Sequence, residues 1–276
     1  MYEAHWGLNE KPFENTPNPK YIYYSKIHKE AIYRLLYAIR EKKGAAILTG
    51  EYGSGKTLVA KVLWQELSQE HIYNSVFIFN PRLSTDEFLD EIFFQLKGIS
   101  PPTNKAHIFR EIQKILYDIH TAKRHTVIVI DEAQAILNDD IFEELRLLLN
   151  FQLEDSFLIT LILLGQPELK QKILNLPQLN QRISIKYHLS ALNEADTRSY
   201  ILHRLNIAGA KKDIFQEDVY SLIYSASGGI PRKINNICDL ALLIGYTEEA
   251  NLINRAIISE AIKEIEQNQD AFGRRI

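Results

Sequence analysis

The chain has 276 residues, of which 46% are hydrophobic and 24% are charged, and its formal net charge at pH 7 is -3. This composition is typical of a soluble globular protein with one large and one small domain, and the charge argues against a surface built mainly to bind nucleic acid. The single cysteine, Cys238, excludes an internal disulfide, and the most apolar run, residues 157–164, is far shorter than the roughly twenty residues that a membrane helix needs.

The N-terminus has no basic segment followed by an apolar stretch, so we expect no export signal and a cytoplasmic location. From there to residue 190, short apolar runs alternate with longer helical stretches, which predicts a parallel sheet covered by helices on both faces. The predicted strands are 45–48, 75–79, 126–130, 157–164 and 183–189. The predicted helices between them are 57–69, 85–96, 106–122 and 141–153.

Residues 50–57, directly after the first strand, read GEYGSGKT and match the phosphate-binding pattern GxxxxGK[ST]. The glycines let successive backbone N–H groups surround a phosphate, Lys56 supplies a positive charge, and Thr57 offers a hydroxyl to Mg²⁺. A chance glycine turn is the alternative, but the strand before the motif and the helix after it argue against that. The predicted nucleotide-binding residues are Gly50, Glu51, Tyr52, Gly53, Ser54, Gly55, Lys56, Thr57 and Leu58.

Two carboxylates, Asp131 and Glu132, follow the strand at 126–130. Because the carboxyl ends of parallel strands meet at one edge of a sheet, they can lie beside the phosphate loop. We predict that Asp131 holds Mg²⁺ through water and that Glu132 polarises the water that attacks the γ-phosphate of ATP. The alternative is a solvated strand end that caps the next helix.

After residue 189 the sequence predicts helices only, at 194–208, 216–225, 232–246 and 255–266. An apolar stripe at helical spacing marks the third of them, formed by Ile234, Ile237, Ala241 and Ile244. Ser190 or Asn193 is the expected cap of the first. We therefore divide the chain into an α/β domain at 1–190, a small all-α domain at 191–266 and a flexible tail at 267–276.

Several further segments carry a resemblance to a known family. They are residues 5–19, 50–57, 131–134, 143–151, 165–169 and 229–232. Together they span nearly the whole chain, which resembles an AAA+ ATPase of the ExeA/GspA type of the general secretion pathway and, more distantly, the TnsC/TniB-type ATPases that select transposition targets. The resemblance implies a P-loop NTPase fold, with a three-layer α/β/α domain around a five-stranded parallel sheet and a small helical lid.

The resemblance also implies residue roles that spacing does not provide. Gln166 matches a sensor that positions the attacking water, and Arg182 matches an arginine finger that reaches the nucleotide of a neighbouring subunit. Arg232 matches a second sensor that contacts the γ-phosphate. An ordinary surface residue remains the alternative for Arg182, whereas Arg232 lies in a first helical turn, where a cation requires an anionic partner. Arg146 belongs to the segment 143–151 of this resemblance, but a pairing with Glu143 would also account for it.

Residues 1–44 match the part of the family that surrounds the adenine, although their prolines and aromatic residues could equally strap the N-terminus onto the sheet. The implied protein is a bacterial homo-oligomer, a ring or a filament, that hydrolyses ATP with Mg²⁺ at subunit interfaces. Its turnover would assist assembly of a secretion or pilus machine, with a membrane-associated partner at the inner membrane. The alternative is an ATP-dependent regulator of transposition that binds DNA and a transposase.

Proteins of the ExeA type usually continue into a membrane helix and a cell-wall-binding region, and this sequence reaches Ile276 with neither. The resemblance leaves three explanations open: a family member without these regions, a membrane link supplied by a partner, or a shortened chain.

Overall fold

The computed structural model describes residues 1–102, 104–153 and 156–273. Within these ranges the strands form one five-stranded sheet, in the order β2-β3-β4-β1-β5, and every neighbouring pair is parallel. The strands in chain order are β1 (Ala45–Gly50), β2 (Tyr73–Ile78), β3 (His125–Ile130), β4 (Ile159–Gly165) and β5 (Ile183–Leu189). All residues of β1, β3 and β4 are buried, which explains why these strands are mostly apolar. The predicted α/β fold is confirmed.

Helices connect and flank these strands. They are α2 (Lys26–Arg40), α3 (Lys56–Gln69), α4 (Thr85–Lys97), α5 (Lys105–Thr121), α6 (Asp139–Leu148), α7 (Glu168–Leu174) and α8 (Pro177–Asn180). Local signals set their starts: Ser84 and Glu87 form a reciprocal capping box at α4, and the Asn138 side chain accepts a hydrogen bond from the Asp140 backbone at α6. The apolar faces of α4, α5, α6, α7 and α8 form one core with the sheet.

The segment between α6 and β4 differs from the prediction. The helix expected at 141–153 ends at Leu148, and the strand expected from 157 begins at Ile159. Phe157 instead forms an isolated antiparallel bridge with Gln152. Its ring packs against Gly44, where an added Cβ would lie 3.1 Å from the ring. Phe157 is thus placed by packing on the entry to β1, which an apolar run alone does not reveal.

A second compact unit contains Met1–Ile27, Gly53–Gly55 and the chain from Ser190 onward. Its helices are α1 (Glu3–Trp6), α9 (Glu194–Ile207), α10 (Val219–Ser227), α11 (Pro231–Thr247) and α12 (Arg255–Gly273). Asn193 caps α9 by accepting a hydrogen bond from the Asp196 backbone, as one of the two predicted caps. The predicted stripe on α11 is buried, with exposures of 0 to 9%.

The N-terminal segment packs within this helical unit. The Trp6 indole donates to Leu242 O at 3.0 Å, and Phe13 is 2% exposed in the core that the helices form. The buried guanidinium of Arg204 donates to Pro12 O and Glu14 O, and its Cζ lies over the Tyr21 ring, 4.7 Å from the ring centroid. The compact units therefore differ from the expected domains at 1–190 and 191–266. The division of the chain into a nucleotide-binding domain and a helical lid stays a prediction.

The last helix is longer than expected. α12 continues to Gly273, so residues 267–273 of the predicted flexible tail are helical, and residues 274–276 lie outside the described part of the chain. Among the described residues, no helix combines the length and the apolar character that crossing a bilayer requires.

Candidate nucleotide site

The phosphate loop joins the end of β1 to the start of α3, as the motif requires. Gly53 and Gly55 have φ angles of +83° and +104°, a backbone region that only glycine adopts readily. α3 begins at Lys56, so its N-terminal N–H groups and the positive end of its dipole face the loop. A loop of this shape can hold a phosphate with backbone groups alone.

The Lys56 side chain is buried against this loop. It is 4% exposed and donates to Gly50 O at 2.8 Å and to Glu51 O at 3.0 Å. Burial lowers the pKa of Lys56, while the carboxylates of Glu132 and Asp131 act in the opposite direction. A buried cation held by two carbonyls lacks a full counter-charge, so a phosphate anion would offset its desolvation.

Thr57 and Asp131, the two predicted Mg²⁺ ligands, lie together. The Thr57 hydroxyl donates to Asp131 Oδ2 at 2.6 Å, and Asp131 Oδ1 accepts from the backbone N–H of Glu132 at 2.9 Å. Burial raises the pKa of Asp131, an effect that the hydrogen bond from Thr57 opposes. A hydroxyl and a carboxylate are hard oxygen donors, so this pair fits a magnesium ion.

Glu132 occupies a strained position beside the loop. Its φ is +51°, which is uncommon for a residue with a side chain and is found often at functional sites. Its Oε2 accepts hydrogen bonds from two amides, from Gln134 Nε2 at 2.5 Å and from Gln166 Nε2 at 3.3 Å. The structure thus brings two residues that were predicted separately into contact, since the Gln166 amide binds the Glu132 carboxylate.

Gln134 is a site residue that we did not predict. Its amide nitrogen binds the Glu132 carboxylate, and its Oε1 accepts from the backbone N–H of Gln166 at 3.0 Å. Gly165 makes room for it, because an added Cβ there would lie 2.7 Å from Gln134 Oε1. The available signal was its place in the segment 131–134, one turn after two carboxylates at a strand end.

Arg232 lies in the compact unit that includes Gly53. Its backbone N–H donates to Gly53 O at 3.2 Å, and a Cβ added to Gly53 would come within 2.6 Å of the Arg232 Cβ. Gly53 is therefore needed both for its backbone angle and for this close approach. Arg232 itself lies in the first turn of α11, as predicted.

Arg182 is not near the phosphate loop. It precedes β5, and its guanidinium donates to Leu149 O at 3.0 Å and to the Asn150 side chain. β5 pairs with β1 in parallel, with Ile183 opposite Ala45 and Leu189 opposite Gly50, so Arg182 and the loop lie at opposite ends of these strands. Within one copy, Arg182 and Lys56 do not share a site.

Comparison with known proteins finds similarity to a protein family and to a curated relative. Residues 39–173 match a family described as AAA domain. General secretion pathway protein A of Aeromonas hydrophila is 38% identical over 274 residues, which are 98% of this chain and 49% of the relative. The chain thus spans about half the length of the curated relative it matches.

Solved structures share the fold. Cdc6p from Pyrobaculum aerophilum superimposes with a TM-score of 0.68 at 16% identity, over 95% of this chain and 70% of that one. The ORC1 protein of Aeropyrum pernix, solved in complex with DNA, gives 0.66 at 18% identity, over 88% and 65%. At such identities the likeness concerns the fold alone. The chain thus has the P-loop fold of the AAA+ ATPases, contains a region that matches the AAA domain family, and is similar over nearly all of its length to General secretion pathway protein A.

Proposed function

We propose that this chain binds ATP with Mg²⁺ at the phosphate loop and hydrolyses it as a homo-oligomer. The observation that carries the proposal is the 2.6 Å hydrogen bond between Thr57 and Asp131, which joins the loop to the carboxylate after β3. Two oxygen ligands of the kind that Mg²⁺ prefers meet there beside the buried Lys56. Mg²⁺, when bound, would neutralise charge on the phosphate oxygens.

The residues around Glu132 would perform the chemistry. The loop N–H groups and Lys56 would hold the phosphates, and the Glu132 carboxylate would accept a hydrogen bond from the attacking water. Two amides already orient that carboxylate, so a water can take the place of the longer contact, the one from Gln166 at 3.3 Å. The Gln166 amide would then bind the water or the γ-phosphate.

Two arginines would complete the site from different directions. The Arg232 backbone contacts Gly53 of the phosphate loop. Its side chain would bind the γ-phosphate within one copy and so couple residues 191–266, as a lid, to the nucleotide state. Arg182 lies at the far end of β5 and would act on the nucleotide of a neighbouring copy. Such a guanidinium can increase turnover by about 10³- to 10⁵-fold.

The process served is inferred from the relative. Its identity of 38% covers 98% of this chain, and its name assigns it to general secretion. We infer that nucleotide-driven changes in subunit packing assist assembly of a secretion or pilus machine from the cytoplasmic side of the inner membrane, through a membrane-associated partner.

Glu132→Gln tests the catalytic assignment. The variant keeps the hydrogen-bonding shape but loses the base, so it should bind ATP normally, turn it over at least about 10²-fold more slowly, and remain in the assembled state. Glu248→Gln, an exposed glutamate after α11, is the matched control and should behave like the wild type. Near-normal turnover by Glu132→Gln would mean that another residue orients the water.

Sizing in the presence of an ATP analogue, with and without duplex DNA at moderate salt, tests the process. Assembly that is indifferent to DNA supports the envelope function. Assembly that requires DNA would replace it with the transposition regulator.

A further inference from the structure

A groove with a volume of about 580 Å³ lies at the edge of the sheet where the strands begin. Its wall carries three cationic side chains, from Lys43, Arg146 and Arg182. Side-chain amides surround them, from Gln152, Gln178 and Gln181. Among the lining residues that the structure describes, which exclude 103, 154, 155 and 274–276, there is no carboxylate. The groove therefore has the composition of an anion site.

Both guanidinium groups are held in place. Arg182 is anchored by Leu149 O and the Asn150 side chain, just after α6. Arg146, on α6, forms a two-point ion pair with Glu143, with Nε to Oε2 at 2.8 Å and Nη2 to Oε1 at 2.5 Å. The Arg146 side chain is 19% exposed, whereas that of Glu143 is 54% exposed and stays largely hydrated within the pair, so exchanging Glu143 for another anion costs little.

The location of the groove decides which phosphate can reach it. Lys43 and Gly44 precede β1 and Arg182 precedes β5, whereas the phosphate loop follows β1. A six-residue strand at about 3.3 Å per residue separates the two edges by roughly 17–20 Å, which is beyond the reach of an arginine side chain. A nucleotide bound at the loop of the same copy cannot touch the groove.

We propose that Arg146 is a second catalytic arginine, which binds together with Arg182 the terminal phosphate of a nucleotide held by a second copy of this chain. This inference rests on the proposed function and extends it to a residue that the resemblance did not assign. Two guanidinium groups at one phosphate provide several N–H donors in a planar arrangement that matches its oxygens. In that complex the Arg146 fork exchanges Glu143 for the phosphate and stabilises the charge that grows during hydrolysis.

Turnover of Arg146→Gln is the first measurement. We expect a loss of about 10²-fold, as for removal of one preorganised donor, with unchanged nucleotide affinity of the isolated chain. Glu143→Gln removes the ion pair but keeps the arginine and should retain most of the activity. Arg198→Gln is the matched control, since Arg198, on α9, makes an equivalent two-point pair with Glu217. Wild-type turnover by Arg146→Gln, or equal losses in Arg146→Gln and Glu143→Gln, would overturn the proposal.

Mixing variants tests whether Arg146 acts between copies. Arg146→Gln keeps its own nucleotide site and Glu132→Gln keeps its groove, so a random equimolar oligomer should regain about a quarter of the wild-type activity at its mixed interfaces. Arg182→Ala mixed with Glu132→Gln should recover equally. Recovery with Arg182→Ala but not with Arg146→Gln would refute the role of Arg146 alone. Failure of both mixtures would refute the shared site and, with it, the oligomeric part of the proposed function.

Discussion

Acidification should destabilise the α/β unit through the buried His125. Its ring is 3% exposed at the start of β3, with Nε2 at 2.9 Å from the Thr160 hydroxyl. That hydroxyl donates its proton to Lys43 O at 2.8 Å, so His125 must donate from Nε2 and carry no proton on Nδ1. In the described part of the chain, the buried Nδ1 has no hydrogen-bond partner. A proton added there would be a buried and unpaired charge.

The size of the effect follows from the pKa. Burial, followed by the nearby Lys42 and His120, lowers the pKa of His125 from 6.5 to about 4. Because the unfolded chain binds the proton first as the pH falls, the contribution to stability is complete above pH 6.5 and is lost between 6.5 and about 4. At about 1.4 kcal/mol per pKa unit, the full loss is about 3 kcal/mol, of which about 2 kcal/mol is reached at pH 5.

Urea unfolding followed by circular dichroism, at about pH 7.5 and about pH 5, measures this loss. His125→Gln keeps an amide donor for Thr160 but does not titrate, so the wild type should lose about 2 kcal/mol more than this variant between the two conditions. His107→Gln, with an exposed histidine on α5, is the control and should retain the wild-type pH dependence. Equal losses in the wild type and His125→Gln would refute the reasoning.

Three further predictions concern the candidate site and its surroundings. Lys56→Ala should abolish ATP binding, because the loop loses its buried cation, and micromolar affinity in a calorimetric titration would contradict the assignment. Gln134→Ala should leave ATP affinity intact and lower turnover about 10-fold or more, because the Glu132 carboxylate loses its shorter amide contact; unchanged turnover would mean that Gln166 suffices. Arg204→Leu should lower the free energy of unfolding by about 2–4 kcal/mol, because Pro12 O and Glu14 O lose their buried donor, and a change below about 1 kcal/mol in urea unfolding would show that water replaces it.

Local sequence patterns predicted the strands and the phosphate loop, because burial and backbone angles restrict which residues can occupy them. β3 is a mostly apolar run because both of its faces are buried, and the phosphate loop can be recognised because only glycines fit its backbone angles. Arg204 gave no such signal, since its partner Pro12 is 192 residues away and polar contacts between distant segments have no periodicity. Gln134 was missed for a related reason: its role depends on the left-handed backbone of Glu132 and on the space at Gly165, and neither can be read from residue types.

The parallel sheet also restricts the assemblies that are compatible with the proposed function. Its strand ends carry Lys56, Thr57 and Glu132, and its strand beginnings carry Arg182. If Arg182 acts on a neighbouring nucleotide, two different edges of the sheet must meet in each interface. In a two-fold dimer residue i of one copy contacts residue j of the other and the reverse, so both edges of each sheet would have to lie in a single interface. A head-to-tail contact needs only one edge of the sheet from each copy. The two end subunits then have one loop and one groove without a neighbour, until the subunits close into a ring or a filament grows. Turnover per subunit should therefore keep rising with concentration beyond the dimer, towards a ring or a filament.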